Sequence, residues 1–462
     1  MTTPNTFPTT TTLTLDETWG PDGLAFARVD GFPVKFPGAL PGETIEATID
    51  RTTRPWRGQL VEVITPSEDR RQTQVCPHLH EAPLCGGCPW GMVSEEKQAA
   101  LKHQLTLDAL MSVGITPPEK SEHYASTTTT GYRSKALFTM VKRDGGWAWG
   151  LYANGSHDVV KTPVCQAIAG WMNAAVASVA HALNATTLTP YDEVTHTGDV
   201  RGVLLREGVN AAGQTERLVS LILREVTDVT LATLKAALLP ALASQDIKVV
   251  SVQTHSERGN AALGGQEYFL TEEHTITTTI GDLSFSVGST TFLQIHREQM
   301  LSLYHTAIKW ADLQATDTLV DLYCGIGTMT LVGAKRVAKS IGVDVVEASI
   351  AAARENATHN NIHNAEFHAG AVEKVLPSLI VNGLRADKVI VDPAFKGMDA
   401  TVPAMIKALD PKTLVYVSCN PKTFARDVKV LLSLGFTLER VATFDLFPDT
   451  AHVETVARLV RT

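Results

Sequence analysis

The amino-acid sequence predicts an α/β protein with a parallel β-sheet in its C-terminal part and a small β-barrel near its N-terminus. A strand, a tight glycine turn and a helix start follow one another in residues 319–335, LVDLYCGIGTMTLVGAK. Three apolar runs in this part each end in an aspartate, which is typical of strands that carry a binding edge. Short β-rich runs separated by Gly, Pro and Asp turns in residues 13–64 predict the barrel.

Composition limits the classes of protein that are possible. The chain has 462 residues, 44% hydrophobic and 19% charged, which is ordinary for a globular protein of two or three domains. A net charge of −9 argues against coating nucleic acid non-specifically, although a local basic groove remains compatible with it. No apolar stretch approaches the roughly 20 residues that span a bilayer, and the N-terminus lacks the features of a secretory signal. We expect a cytoplasmic protein without a membrane segment, and a monomer.

The N-terminal segment divides into a lead-in and the barrel. Residues 1–12, MTTPNTFPTTTT, are expected to be a disordered lead-in, and residues 13–68 to form the barrel. Within the barrel, the run 51–57, RTTRPWR, places three arginines beside Trp56. Guanidinium groups and an indole suit phosphate contact and base stacking. A solvated loop whose tryptophan covers the barrel end explains the run equally well.

A cysteine group follows the barrel. Cys76, Cys85 and Cys88 lie close in the chain, and Cys165 is the candidate for a fourth thiolate. Clustered cysteines in a reducing compartment predict a metal site, and thiolates select zinc or iron–sulfur centres. Spacing alone leaves both open. His78 and His80 in the first gap could be ligands, but solvent-facing loop residues are the simpler interpretation.

Residues 69–280 are expected to form a central domain that carries the cysteine group, and residues 281–462 a catalytic domain. A helix over residues 92–115 could dock on the catalytic domain. The central domain alternates strands and helices without a chemical signature of its own. One strand start, 131–136, GYRSKA, brings Arg133 and Lys135 together. An ordinary surface explains these two charges almost as well as RNA contact does.

The glycine turn predicts a nucleotide-like ligand. Glycine has no Cβ, so a ligand can approach the backbone at Gly325, and Asp344 lies 19 residues later, where an acidic residue can accept from ribose hydroxyls. The third glycine of the dinucleotide fingerprint is missing, which disfavours NAD. Ligands of open α/β sheets bind beyond the carboxyl ends of the strands, where Asp321, Asp344 and Asp392 would project.

Two further residues reach the same edge. Cys419 follows the buried run TLVYVS and is a nucleophile candidate, provided that a helix beginning at Pro421 or positive surroundings help it to ionise. A buried small hydrophobic residue is the plainer interpretation of this cysteine. Glu454, just before the last strand, is a candidate base or simply a solvated carboxylate. Gln294 is a lone amide ahead of a predicted helix.

Several motifs together resemble the RNA uridine-5 methyltransferase family, in the branch that carries an iron–sulfur cluster and a TRAM domain. The resemblance runs from about residue 13 to residue 461 and rests on DLYCGIGT, VSCNPKTFARD, FPDTAHVE and CGGC. GLAFARVDG and ALPGE resemble the TRAM domain, an RNA-binding barrel of the OB type. The resemblance implies a class I S-adenosylmethionine (SAM) methyltransferase domain with a Rossmann-like fold, and a central α+β domain with the cluster. It also implies methylation of uridine carbon 5 in structured RNA, with 23S rRNA favoured and a tRNA T-loop uridine as the alternative.

The resemblance also implies roles for individual residues. Cys419 matches the family's nucleophile and Glu454 its general base. The positions that match SAM contacts are Gln294, Tyr323, Gly325, Asp344 and Asp392. The positions that match the ligands of a 4Fe-4S cluster, thought to be structural, are Cys76, Cys85, Cys88 and Cys165.

Some positions depart from the family pattern. Phe395 stands where the family often has arginine, with Lys396 one place later, and His296 replaces an asparagine. The first cysteine gap is longer than usual. Two other functions stay open: an amino-group methyltransferase, suggested by the Asp-Pro-Ala-Phe run, and a non-catalytic RNA-binding assembly factor.

Overall fold

The computed structural model describes residues 10–20, 23–52, 56–72, 76–79, 84–258 and 263–461. Most of the expected lead-in lies outside these residues, and the first strand begins at Thr11, inside the segment assigned to it. The chain divides into two compact units. The first comprises the described residues of Met1–Leu101, Ala148–Gln166 and Phe447–Ala451. The second comprises those of Lys102–Trp147, Ala167–Leu446 and His452–Thr462. These bounds differ from the three consecutive segments expected, because the cysteine group shares a unit with the N-terminal strands.

The strands and helices follow one another along the whole described chain. In its first half they are β1 (Thr11–Thr14), β2 (Phe26–Val29), β3 (Phe32–Lys35), β4 (Thr44–Asp50), β5 (Arg57–Thr65), α1 (Glu95–Ser112), β6 (Lys120–Tyr124), β7 (Lys135–Arg143), β8 (Gly146–Tyr152), β9 (Val159–Lys161), α2 (Gly170–Leu183), β10 (Val200–Val209) and β11 (Thr215–Leu223). In its second half they are α3 (Asp228–Leu242), β12 (Val249–Thr254), β13 (Glu267–Phe269), β14 (Ile276–Ile280), β15 (Leu283–Val287), α4 (Arg297–Ala311), β16 (Thr318–Leu322), α5 (Thr328–Ala334), β17 (Lys339–Asp344), α6 (Glu347–His359), β18 (Ala365–Ala369), α7 (Val372–Val381), β19 (Lys388–Val391), α8 (Val402–Leu409), β20 (Thr413–Ser418), α9 (Pro421–Ser433), β21 (Phe436–Phe444) and β22 (Glu454–Arg461).

The first unit contains a sheet of five strands in the order β1-β4-β5-β3-β2. β3 and β5 run parallel, and the other neighbours are antiparallel. Alternate residues of β4 point inward, so that Ile45 and Ala47 join Val34 and Phe36 in a small core. This curled sheet corresponds to the barrel that the evenly spaced short strands predict.

The second unit contains a mixed sheet in which β13, β12, β11, β10 and β7 are neighbours in that order. β11 and β12 run parallel, whereas β10 is antiparallel to both β11 and β7. Helix α2 packs on this sheet through the buried side chains of Met172, Val176 and Val179, which recur at helical spacing. This sheet lies in the same unit as the larger sheet of the C-terminal part.

The larger sheet of the second unit has the order β18-β17-β16-β19-β20-β22-β21-β6. The first five strands are parallel, and β22 is antiparallel to both β20 and β21. The chain proceeds from β16 outward to β17 and β18, then returns to the other side of β16 with β19. The strand order therefore reverses between β16 and β19, the point at which open α/β sheets bind ligands. The predicted parallel sheet is confirmed.

Local sequence explains how this sheet is covered. In α9, Asn420 caps the first turn by accepting from the backbone N–H of Lys422 at 3.0 Å, and Pro421 occupies the first helical position. Phe424, Val428 and Leu431 form the buried face of the helix. Ala109 and Leu110 of α1 join the same core cluster, so the second half of that helix packs on the same face of the sheet as α9. No helix in the described chain is both long and apolar enough to cross a bilayer.

Candidate active site

Four of the sequence-predicted residues lie at one edge of the large sheet. Gly325 follows β16, Asp344 ends β17, Asp392 follows β19 and Cys419 follows β20. Because these strands are parallel, their carboxyl ends meet at the same edge. The structure therefore brings the proposed nucleophile to the edge that holds the glycine turn.

The glycine turn leaves backbone open at one position and packs tightly at another. Gly325 has φ = 54° and Gly327 has φ = 82°. A Cβ at Gly325 would meet no atom within 4 Å, whereas one at Gly327 would lie 2.9 Å from the Phe367 ring. The backbone N–H of Gly325 donates to Oδ2 of Asp344 at 2.9 Å. The turn is therefore fixed to β17 while its Gly325 side stays accessible to a ligand.

Tyr323 holds an unusual backbone conformation at the same turn. Its φ is 67°, a region that costs a non-glycine residue roughly 1 kcal/mol or more. Its backbone N–H donates to Val343 O at 2.8 Å, and burial raises the pKa of its hydroxyl above the usual range. Backbone strain of this kind concentrates at functional sites.

Carboxylates dominate the electrostatics of this edge. Asp321 is buried; its Oδ2 accepts from Thr330 Oγ1 at 2.6 Å, and its Oδ1 has no hydrogen-bond partner. Burial, with smaller contributions from Asp392 and Asp344, raises the pKa of Asp321 to about 7. Burial also raises the pKa of Asp392 to about 7. An edge that carries several carboxylates, one of them with a free oxygen, suits a positively charged ligand.

Strand register brings Cys419 and Glu454 face to face. β20 and β22 pair from Thr413↔Val460 to Ser418↔Thr455, so the next step of this register sets Glu454 opposite Cys419. Residues opposite one another in an antiparallel pair have Cβ atoms roughly 5 Å apart. Glu454 is 2% exposed, and its Oε2 has no hydrogen-bond partner. The Gln294 side chain donates a hydrogen bond to this carboxylate, so Gln294 also belongs to the site.

The two groups perturb each other's ionisation. Burial, and then the charges of Glu454 and Asp392, raise the pKa of the Cys419 thiol to about 12. Burial and Asp392 hold the pKa of Glu454 well above its usual value. The helix expected to begin at Pro421 is present as α9, but the positive surroundings are not: the charged groups that act on this cysteine are negative and favour the thiol. Added positive charge at this edge would lower both pKa values.

Sequence reasoning missed one residue of the site. Tyr304 in α4 is buried and hydrogen-bonds to Thr328, and burial together with Asp392 and Glu454 raises the pKa of its hydroxyl. In the sequence it was indistinguishable from an ordinary core residue of an amphipathic helix. Asp321 was expected at the edge but was given no role.

The departures from the family pattern have structural explanations. His296 caps α4 by accepting from the Gln299 N–H, and its ring stacks on Tyr132 with centroids 5.0 Å apart. The Phe395 ring is 60% exposed, and its backbone carbonyl accepts from Asn420 Nδ2 at 3.0 Å. Lys396 likewise has its carbonyl held, by Arg426 Nη2 at 3.1 Å. The loop after Asp392 is thus fixed to the start of α9 and presents an aromatic ring to solvent.

In the first unit, Cys76 lies near two of the other predicted ligands. Burial raises the pKa of Cys76, and the charges of Cys85 and Cys165 add to the effect, so both thiols are within electrostatic reach of Cys76. His78 Nε2 lies 3.1 Å from the carbonyl of Val164, the residue before Cys165. The Gly87 N–H points at Cys85 Sγ, 3.4 Å away. Within the described ranges no three His, Cys, Asp or Glu side chains have the arrangement of a formed metal site, and His80 lies outside those ranges.

The aromatic and basic run of the barrel is only partly described. The guanidinium of Arg51 lies over the Trp56 ring, 5.1 Å from its centroid, and pairs with Asp30 at 3.1 Å. Phe32 lies against the same indole with ring centroids 5.2 Å apart. The predicted contribution of Arg54 falls outside the described residues.

Comparison with known proteins gives consistent similarities. The family described as tRNA (uracil-5-)-methyltransferase matches residues 211–462. An uncharacterized RNA methyltransferase of Halalkalibacterium halodurans is 33% identical over 440 residues, covering 95% of this chain and 94% of that protein. One of Gloeobacter violaceus is 34% identical over 451 residues, covering 96% and 94%.

A solved structure shares the fold. The Pyrococcus abyssi tRNA (uracil-54, C5)-methyltransferase, in complex with S-adenosyl-L-homocysteine, superposes with a TM-score of 0.76 at 23% sequence identity. The match covers 97% of this chain and 99% of that one. At this level of identity the likeness establishes the fold.

Proposed function

Since this chain belongs to the family of RNA uracil-5 methyltransferases, we propose that it methylates its uridine through a covalent bond between Cys419 and the base. The enzyme transfers a methyl group from SAM to carbon 5 of uracil in RNA. Family membership favours this activity over the amino-group methyltransferase and the non-catalytic assembly factor. The observation that carries the proposal is the β20–β22 register, which sets Glu454 opposite Cys419.

Carbon 5 of uracil is a poor nucleophile until the ring conjugation is broken. Addition of the Cys419 thiolate to carbon 6 turns the C4–C5 part of the ring into an enolate, and carbon 5 can then take up a methyl group. Carbon 5 now carries both the methyl group and its original proton. Glu454 accepts that proton, the C6–S bond breaks, and the C5=C6 bond and the free cysteine are restored. A buried carboxylate whose pKa is raised is a strong base once it is ionised, which suits this step.

The methyl donor fits the negative edge of the sheet. SAM, when bound, supplies an electrophilic methyl group on a positively charged sulfonium. We propose that SAM lies against the exposed backbone of Gly325 and that Asp344 accepts hydrogen bonds from its ribose hydroxyls. The remaining residues of the proposed SAM site are Tyr323, Gln294 and Asp392. Two observations support the fit: the space beside Gly325, and the free oxygen of Asp321 among uncompensated carboxylates. A cation here offsets the charges that hold the Cys419 thiol protonated.

Trapping with 5-fluorouridine tests the covalent step. Fluorine at carbon 5 cannot leave as a proton, so the enzyme is expected to remain attached to the RNA in a complex that survives denaturing electrophoresis. The complex should require SAM and should disappear in Cys419→Ser. An enzyme that methylates uridine without forming this complex would contradict the role of Cys419.

We also propose that Cys76, Cys85, Cys88 and Cys165 hold a structural 4Fe-4S cluster. Thiolate donors suit such a cluster, and the structure brings Cys76 within electrostatic reach of Cys85 and Cys165. Protein purified without air should then be brown and contain about four iron atoms per chain. Zinc would give a colourless protein with one metal ion, and would overturn the assignment.

The proposed substrate is 23S rRNA, supported by the resemblance of the cysteine group and barrel to the cluster-containing branch of the family. A tRNA uridine is the second candidate, because the matching family and the solved P. abyssi enzyme are both named for tRNA. Mapping 5-methyluridine in rRNA and tRNA from a deletion strain distinguishes them. Loss of the modification from tRNA alone would reject the rRNA assignment.

A further inference from the structure

Two positive side chains face each other on neighbouring strands of the mixed sheet. In the β7–β10 ladder, Arg206 pairs directly with Lys135. Residues opposite one another in an antiparallel pair project from the same face, and like charges there destabilise the pair. A fold retains such a pair only when neighbouring groups or a ligand compensate for it.

Within the described residues the compensation is incomplete. Arg206 is 2% exposed, and its Nη1 donates to the backbone carbonyls of Gly288, at 3.0 Å, and Thr291. These acceptors satisfy hydrogen bonds but carry no net charge. The Lys135 side chain, in the part of the chain that the structure describes, has neither an ion pair nor a hydrogen bond. Burial and the charge of Arg206 lower the pKa of Lys135 to about 8.

Nearby carboxylates are engaged elsewhere. Glu207, next in the chain to Arg206, projects from the opposite face and accepts from Trp171 Nε1 at 2.6 Å. Glu267 lies on β13, three strands from β10, and accepts from Ser251 and Ser289 at 2.6 and 2.8 Å. Neither carboxylate pairs with Lys135 or Arg206, so the pair keeps its positive charge.

Residues 291–295 run from this pair toward the active site. Thr291, which binds Arg206, precedes Phe292, whose ring is 68% exposed. Two residues later, Gln294 donates to Glu454. The backbone N–H of Ser134, the residue before Lys135, donates to Ile295 O at 2.7 Å and ties the start of β7 to this segment. Residues 291–295 therefore connect the cation pair to the side chain that contacts Glu454.

We propose that Lys135, with the charge of the buried Arg206 beside it, binds a backbone phosphate of the RNA next to the methylated uridine. The inference rests on the proposed function and extends it with a contact that positions the nucleotide. A phosphate supplies the negative charge that the pair lacks, and lysine and arginine are the usual phosphate ligands. Arg206 is held rigid by its carbonyl acceptors, whereas Lys135 is partly exposed and reaches the incoming strand.

The test compares Lys135→Gln with Lys235→Gln, which removes an exposed lysine from α3 in the same unit. In-vitro transcripts of 23S rRNA and tRNA are the probes.

Lys135→Gln is expected to raise KM for the methylated RNA about tenfold while kcat stays within twofold. It should also lower the slope of log affinity against log salt by roughly 0.7–0.9. It should also melt at a higher temperature, since removing one of two facing like charges relieves repulsion. Lys235→Gln should change none of these, and Lys135→Arg should restore KM.

Three results would overturn the inference. One is an unchanged KM and salt slope in Lys135→Gln. Another is a lower melting temperature with unchanged RNA affinity, which would make Lys135 structural. The third is a raised KM for SAM in place of RNA, which would make the ligand the donor's carboxylate. If wild-type protein binds RNA through Lys135 but forms no 5-methyluridine, the proposed function fails and the phosphate contact stands.

Discussion

Cys419 and the cysteine group of the first unit are the same residue type held in two different ways. Cys419 follows a fully buried strand and precedes the N-cap of α9, so the rigid sheet fixes its sulfur opposite Glu454. Cys76, Cys85, Cys88 and Cys165 lie outside the helices and strands, and Cys85 forms only an isolated β-bridge with Ala153. The comparison indicates that regular structure positions the proposed nucleophile, whereas loops carry the four other thiols.

Removing the reacting thiol should give the largest effect. Cys419→Ala is expected to lower methylation by at least 10⁴-fold, as for other nucleophile deletions, because carbon 6 then has nothing to attack it. The free energy of unfolding should change by less than about 1 kcal/mol. Methyl transfer from radiolabelled SAM and thermal unfolding measure the two. Ser433→Ala, which alters an exposed residue at the end of α9, is the control and should keep wild-type activity.

If Cys419→Ala instead unfolds the protein, the cysteine is a core residue. That result would remove the contrast between the two groups of thiols.

Removing the base should give a smaller effect of a different kind. Glu454→Gln cannot accept the carbon 5 proton, so turnover is expected to fall 10²- to 10⁴-fold while the enzyme accumulates as an adduct with ordinary uridine RNA. Denaturing electrophoresis detects the adduct. Glu439→Gln alters a partly exposed carboxylate that pairs with Arg458 and should behave as wild type. Slow turnover without an adduct would assign Glu454 to an earlier step.

Removing a cysteine of the first unit should lower the stability of the protein more than its activity. Cys85→Ala is expected to lose iron and to unfold at least 5 °C below wild type, because a bound cluster contributes its binding free energy to folding. Single-turnover methylation by the remaining folded enzyme should stay within tenfold. Iron analysis and calorimetry under nitrogen check this. A variant that keeps its iron and stability would show that this thiol is not a ligand.

The smallest effect concerns the ionisation of Cys419. With a pKa of about 12, its alkylation by iodoacetamide should rise about tenfold per pH unit from pH 7 to 10 without a plateau, because only the thiolate reacts. SAM should lower the pKa by one unit or more through its positive charge, whereas neutral S-adenosylhomocysteine should not. Mass spectrometry of the Cys419 peptide, with Cys419→Ser as a blank, measures the rate. Equal effects of the two ligands would exclude the electrostatic explanation.

The positions of the residues at the edge of the site could be predicted from the sequence, whereas the pKa values of those residues could not. Apolar runs that end in polar residues placed Gly325, Asp344, Asp392 and Cys419, because strand ends follow from local patterning. The meeting of Cys419 with Glu454 was not available from any local pattern. It arises from the pairing of β22 between β20 and β21, which is a tertiary choice.

Two further features could not be predicted for the same reason. The raised pKa of Cys419 depends on burial and on two carboxylates from other strands. The Lys135–Arg206 pair depends on the register of β7 and β10, whereas the sequence showed only that Lys135 lies near Arg133. The strand at Thr11 lies in a threonine run whose composition suited a lead-in equally well.

The β20–β22 register also decides where this chain tolerates insertions and deletions. Cys419 and Glu454 are 35 residues apart, yet only the ladder between their strands sets the distance between their side chains. Residues added at the exposed Gly435 corner between α9 and β21 would leave the pair intact. One residue added inside β22 would turn alternate side chains to the opposite face and could seat a neutral neighbour beside the sulfur. A register shift of one residue in this strand would thus abolish activity even though the core would still contain apolar residues.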